Sequence, residues 1–299
     1  MTSAATEIRR SAREESRAAG QPPSRRRRPR SGWLIWLVVG FFLLNLLGLV
    51  ASVVVDSFGT RWFASWLPQG FTGHWYGDAW SEFGLGKVLV VTVQVAVAVI
   101  VISLAVGLPA AYALARRDFP GKRLVTAAFL VPLVLPPITY GIPLATVLYK
   151  VHLAGTLSGV VVANLVPSIP FVILVMTPFI EQIDPAIESA ARMCGAGTRS
   201  VLLRILGPLV VPGLLAAGLL ILVRTIGMFE LTFLTAGPTS QTLVVTLYYA
   251  VFSAGIRATQ SVDAMAVIYM LTTLVFLVLA LRFVNPTQLV SRVGERPED

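Results

Sequence analysis

Long apolar runs separated by short polar segments dominate the chain. Six of them, at about 33–55, 88–114, 124–148, 157–180, 209–233 and 262–283, come near or above the roughly 20 residues needed to cross the hydrocarbon of a bilayer as helix. The first is too long for a signal-peptide core, and no small-residue cleavage site follows it, so it reads as a true span. A shorter apolar run, Leu243–Phe252, fits a surface helix at the outer face or a partial re-entry. The pattern predicts an all-α membrane protein with six transmembrane helices. Its organisation divides into a polar arm (1–30), a first transmembrane helix (31–56), an outer loop (57–86), a core of five spans (87–285) and a short tail (286–299).

Composition agrees with that reading. The mean hydropathy is +0.77, with 56% hydrophobic and only 13% charged residues, so the bilayer must serve as solvent for much of the chain. A net charge of +9 invites a nucleic-acid partner, but its placement argues against one. Nine arginines precede residue 31, including the run Arg25 to Arg28, and further basic residues sit at span ends: Arg116, Arg117, Lys122, Arg123, Arg192, Arg199, Arg204, Arg292 and Arg296. By the positive-inside rule these segments, and with them both termini, are expected in the cytoplasm. The opposite side carries only Arg61, Lys87, Lys150 and Arg257, beside Asp56, Asp78 and Glu82. Its Trp62, Trp66, Trp75, Tyr76 and Trp80 suit an interfacial belt or a short amphipathic segment on the outer leaflet. The single cysteine, Cys194, excludes an intrachain disulfide, and no Cys/His cluster indicates a metal. His74 and His152 are expected on the outer surface without chemistry.

Between the fourth and fifth spans lies a charged island, EQIDPAIESAARMCGAGTRSVLLRIL, at 181–206. Asp184-Pro185 is a sound helix start, because an aspartate caps free amides and proline suits the first helical position. From there Ile183, Ile187, Ala190 or Ala191, and Cys194 recur at helical spacing, and Glu188 is placed to pair with Arg192 at i, i+4. Gly195 and Gly197 then break the helix, and Thr198 is positioned to cap a second short one running towards Pro208. A helix–turn–helix along the inner face is expected, its small apolar stripe fitting a groove in a partner.

This island resembles the cytoplasmic signature loop of binding-protein-dependent ABC importer permeases. That loop has a Glu-Ala-Ala triplet, a glycine four residues after the last alanine, nine further residues, then Ile-x-Leu-Pro. Ala190, Ala191, Gly195, Ile205 and Pro208 match at that spacing. Ser189 stands where the triplet's glutamate is usual, with Glu188 just before it, and Gly207 stands where leucine is usual. The resemblance implies the type I importer permease fold, with 181–207 as the ATPase-coupling loop in a bacterial-type inner membrane. It implies a cytoplasmic ABC ATPase dimer, a second permease subunit of the same or a sister chain, and an extracytoplasmic solute-binding protein as partners. No cofactor is expected in the chain itself, with ATP bound by the partner subunit. No G-x-x-x-x-G-K-[ST] phosphate loop is present, since Gly86-Lys87 is followed by Val88.

The third span holds Pro132, Pro136, Pro137 and Pro143, and the fourth Pro167, Pro170 and Pro178. Each internal proline frees a carbonyl that needs a protein or water partner in lipid. Two adjacent broken helices are expected. Thr139, Tyr140, Asn164 and Ser168 then either line a solute route or satisfy the freed carbonyls. Arg224 and Glu230, in the fifth span, should face the bundle or a partner permease, since a charge at the bilayer centre costs roughly 2.5–3.5 kcal/mol. The run MFELTFLTAGP at 228–238 resembles the region after the fifth span in spermidine and putrescine permeases and in related iron and sugar permeases. A polyamine-like solute is the first expectation and a sugar or iron importer the alternative. Cys194 is expected to pack, and Gly155 with Gly159 forms a G-x-x-x-G match. An intramembrane enzyme would need converging acid, base, nucleophile or metal ligands, and none converge in the sequence. A channel or carrier working without ATP would not need the docking loop.

Overall fold

A computed structural model describes residues 32–60, 68–252 and 258–283. The arginine-rich arm, the tail, Arg61, Trp62, Trp66 and Arg257 lie outside the described residues. Helix α1 (Gly32–Phe58) is apolar on every side, the composition of a helix that takes lipid as its solvent. Its residues to Ala51 belong to one compact unit and those from Ser52 to a second. Within the second unit, Gly59 pairs with Phe71 in an isolated antiparallel bridge that leads into α2 (His74–Glu82). This is the short amphipathic segment expected of the aromatic-rich connection. Trp75 Nε1 donates to Gly59 O at 2.8 Å and Tyr76 Oη meets Ser57 Oγ at 2.8 Å, while Trp80 stays exposed.

Next come α3 (Leu85–Arg116), α4 (Lys122–Val134) and α5 (Pro137–Lys150). The last two form a single apolar stretch bent by 97°. The bend falls where the sequence forbids helix. A residue before proline avoids the α region, and both Leu135 (ψ 139°) and Pro136 (ψ 133°) precede one. The fourth span departs from expectation: α6 (Leu157–Glu181) runs unbroken through Pro167, Pro170 and Pro178. It is the most enclosed of the long helices, and neighbours on several sides hold a proline-bearing helix in line.

After α6 come α7 (Pro185–Met193) and α8 (Thr198–Ser200). The expected separate second helix of the island is absent. α8 continues through a π-helical turn (Val201–Leu206) into α9 (Gly207–Ile226), one apolar rod over Thr198–Ile226. The wide turn is closed by Gly207 N–H donating to Leu202 O. A Cβ at 207 would sit 3.2 Å from that oxygen, which gives glycine a reason to stand there. The rod stops at Gly227, so the fifth span starts and ends earlier than expected, and Glu230 begins a separate helix, α10 (Glu230–Thr235). α11 (Leu243–Phe252) is short, and α12 (Thr259–Phe283) closes the described chain. Among the described residues five helices are long and apolar enough to cross a membrane, six if the bent α4–α5 pair counts as one span.

The main core is built by α3, α6 and α9 around Val99, Val172, Met176, Ile180, Val210 and Ile221. Close approach of α3 to α6 depends on Gly107, where a Cβ would lie 2.6 Å from Val172 Cγ1. Gly107→Ala should therefore destabilise the bundle by about 1–3 kcal/mol, the range for overpacking. Thermal unfolding in detergent should show a lowered midpoint, and Gly107→Ala with Val172→Ala should recover part of it.

Candidate functional site

The island folds as a capped helix followed by a glycine turn. Asp184 Oδ1 accepts from Ala186 N–H at 2.8 Å, and Pro185 occupies the first turn, where its missing N–H costs nothing. The chain reverses at Gly195, whose φ of +83° is strained for any side chain. Ala196 N–H donates to Ala191 O at 3.0 Å across that turn. Gly195, Gly197 and Ser189 are exposed, and Ser189 Oγ donates to Pro185 O within the helix.

Glu188 is not paired with Arg192. It is turned inward and only 6% exposed. Arg116 Nε, at the end of α3, donates to Glu188 Oε1 at 2.8 Å, Tyr112 Oη donates to Glu188 Oε2 at 2.7 Å, and Arg116 Nη2 donates to Ile183 O at 2.7 Å. Arg116 and Glu188 are both largely buried as side chains. Removing one partner of such a pair leaves a buried charge uncompensated, at a cost of roughly 3–5 kcal/mol. Of the expected apolar stripe, Ile183 packs into the main core, whereas Ile187, Ala190 and Cys194 are exposed and Ala191 is half-buried. Met193 is 84% exposed. The exposed residues of α7 are thus mostly small and uncharged, with the exposed Arg192 among them, and Cys194 lies beside them rather than in packing. Ile205 and Pro208 lie on the rod that returns from the hairpin into the bundle, in the π turn and at the start of α9.

The residues considered for a solute route divide. Asn164 and Ser168 are buried on α6. Asn164 Nδ2 donates to Val160 O at 2.9 Å and to Thr232 Oγ1 at 3.3 Å, and Ser168 Oγ donates to Asn164 O at 2.7 Å. Thr139 is exposed at the α4–α5 bend, its hydroxyl donating to Pro136 O. Tyr140 is half-buried, with no hydrogen-bond partner for its hydroxyl among the described residues. Arg224, half-buried, lies over the Phe171 ring at 5.8 Å. Glu230, also half-buried, makes no ion pair with Arg224 or any other described residue. Beside Glu230 a wall of rings runs from Phe229 and Phe233 (5.1 Å between centroids) to Tyr248 (4.8 and 5.2 Å) and the exposed Phe252 (4.4 Å from Tyr248).

At the end of the bundle opposite α7, Gly155 N–H donates to Thr235 O at 2.8 Å and Ser240 Oγ donates to Gly155 O at 3.1 Å. Gly155 has φ +80° in a turn and Gly159 lies against Leu153 O, so these two glycines serve a turn rather than a helix–helix seam. His74 is exposed, bonded to Thr72 and 3.6 Å from Asp78, and His152 takes φ +57° in the turn after α5. Among the described residues no group of three metal-ligating side chains occurs.

Sequence reasoning missed Arg116 and Tyr112, counted only as inner charge and as part of a span. The available signal was their i, i+4 spacing, which puts both on one face of α3 beside the island's acid.

Residues 103–288 match the family of binding-protein-dependent transport system inner membrane components, and the chain belongs to that family. It is a multi-pass inner-membrane subunit of an ABC importer. It is 30% identical over 195 residues to the trehalose transport system permease protein SugB of Mycobacterium tuberculosis, covering 62% of this chain and 68% of that one. To the molybdenum transport system permease protein ModB of Escherichia coli it is 32% identical over 143 residues, covering 44% of this chain and 62% of ModB, so that it spans less than two thirds of that relative. Its fold is similar to a chain of a bacterial ABC transporter that imports the acidic polysaccharide alginate, with a TM-score of 0.70 at 18% identity over 89% of this chain and all of that one.

Loss of the α7 cap should loosen the hairpin without disturbing the bundle. Asp184→Ala should cost about 1 kcal/mol of local helix stability. Hydrogen exchange of the 185–193 amides should rise roughly fivefold while exchange in α3 and α6 stays unchanged.

Proposed function

We propose that this chain is the solute-conducting half of an ATP-driven importer and that α7, on the cytoplasmic side, docks into a separate ABC ATPase dimer. The observation that carries the reading is the asymmetry of α7. One side is tied beneath the bundle by a buried ion pair, and the other presents Ile187, Ala190, Ala191, Met193 and Cys194, a small uncharged patch with the exposed Arg192 beside it, able to enter a cleft. Ser189, Gly195, Ile205 and Pro208 complete the loop. Both termini lie on the cytoplasmic side, from the distribution of Arg and Lys. A second permease, the same or a sister chain, completes the pathway, and a solute-binding protein delivers cargo at the face opposite α7. ATP binds the partner subunit.

The solute we propose is of carbohydrate type. SugB, by its name, handles trehalose, and the Phe229–Phe233–Tyr248 wall offers ring faces of the kind that apolar faces of sugars cover. Thr139, Tyr140, Arg224 and Glu230 supply polar groups near the pathway, while Asn164 and Ser168 hold its backing helix. The polyamine alternative has Glu230 and the resemblance at 228–238 in its favour.

Two measurements test this. Affinity capture of the tagged chain from its own membranes should bring down an ATPase; capture without one contradicts the docking reading. Deleting the chain should abolish uptake of labelled trehalose or a related disaccharide and spare spermidine. Loss of spermidine uptake alone, restored by the intact chain and not by its Glu230→Gln variant, would transfer the assignment to polyamines.

A further inference from the structure

The geometry points to Arg116 and Tyr112 as positioning residues for the transport cycle: with Glu188 they form a clamp that passes movement of α7 to α3, and through α3 to α6. This rests on the reading of α7 as the ATPase-docking helix. Three observations carry it. First, α7 is a short helix joined to α6 by three residues, Gln182, Ile183 and Asp184, so its chain connection alone would let it swing. Second, the clamp removes that freedom from two directions. Arg116 holds a side chain of α7 (Glu188) and a backbone carbonyl just before it (Ile183) with separate guanidinium nitrogens, and Tyr112, one turn earlier on α3, holds the second Glu188 oxygen. A guanidinium can bind two acceptors in fixed directions where a lysine ammonium is a point charge. Third, α3 cannot slide freely past α6, because Gly107 lets the two backbones meet with Val172 wedged against it. A push on the exposed face of α7 therefore has a stiff route into the two helices at the centre of the bundle. It also follows that the acid of this loop is spent inward. With serine at 189, the uncharged side chains of α7 and the exposed Arg192 are left to make the contact with the ATPase.

The test uses the intact importer complex in lipid nanodiscs and needs no solute. Docking is read by cross-linking native Cys194 to the ATPase with a maleimide–amine reagent. Transmission is read in Cys194→Ser/Thr139→Cys protein as the change in labelling of residue 139 by a membrane-impermeant maleimide when ATP and vanadate are added. In Tyr112→Phe, Arg116→Gln and Glu188→Gln the cross-link should persist, while the nucleotide-dependent change at 139 shrinks by roughly fivefold or more, the lower end of ordinary coupling between sites. An undiminished change at 139 in all three variants overturns the clamp. So does loss of the cross-link together with the change, which would make Glu188 a docking contact, and so does a parent protein whose residue 139 ignores nucleotide. Tyr112→Phe removes a single hydroxyl and decides the matter if either charge variant fails to assemble. Absence of any cross-link in the parent protein would instead defeat the docking reading itself.

Discussion

A carboxylate held out of water must be paired, and the pairing of Glu188 with Arg116 organises the end of this protein that carries α7. Without it α7 would hang from α6 by a short connection. With it, the hairpin becomes part of the bundle on one side and a free surface on the other. The ion pair is not simply added stability, because buried pairs often return little of what their desolvation costs. What it supplies is direction: the carboxylate has two oxygens and two donors 2.7–2.8 Å away, both on one face of α3.

The rest of the architecture follows from the demand that backbone groups in lipid be satisfied within helices. Where consecutive prolines push the residues before them out of helix, at Leu135 and Pro136, the chain bends by 97°. Where prolines are spaced and the helix is enclosed, as in α6, it stays straight enough to serve as the central post. The π turn before α9 shows the same economy. A wide turn at Val201–Leu206 lets the returning arm of the hairpin enter the bundle without a separate loop, and Gly207 admits the carbonyl that closes it.

Much of this was legible in the sequence. Most span positions, the capped start at Asp184-Pro185 and the glycine reversal at 195 follow from periodicity and the chemistry of proline, glycine and aspartate, while the signature spacing was legible as a resemblance to a known family's loop. What failed were judgements that depend on neighbours distant in the chain. Glu188 has a basic residue four positions away in Arg192, and local spacing chose it, whereas the partner that wins lies 72 residues earlier on α3 and is shielded from water. Proline content alone could not distinguish the bent third span from the unbroken fourth, because enclosure by other helices decides that. The fifth span was misplaced at both ends for a related reason. The sequence sets a short helix ending towards Pro208 apart from a span beginning at 209, but the π turn joins the two through Pro208, and Gly227 ends the rod before Glu230. Cys194 and the Gly155–Gly159 pair show that small residues read as packing elements can instead serve an exposed face or a turn.

The central claim is that α7 faces two ways at once, inward through Glu188 and outward through its exposed small side chains with Arg192 beside them. An experimental structure of the importer with its ATPase bound measures this directly. The account predicts Glu188 still within hydrogen-bonding distance, about 3 Å, of Arg116, with Ile187, Ala190 and Met193 seated against the ATPase. A Glu188 carboxylate swung out to pair with a basic residue of the ATPase, leaving Arg116 to other partners, would contradict it.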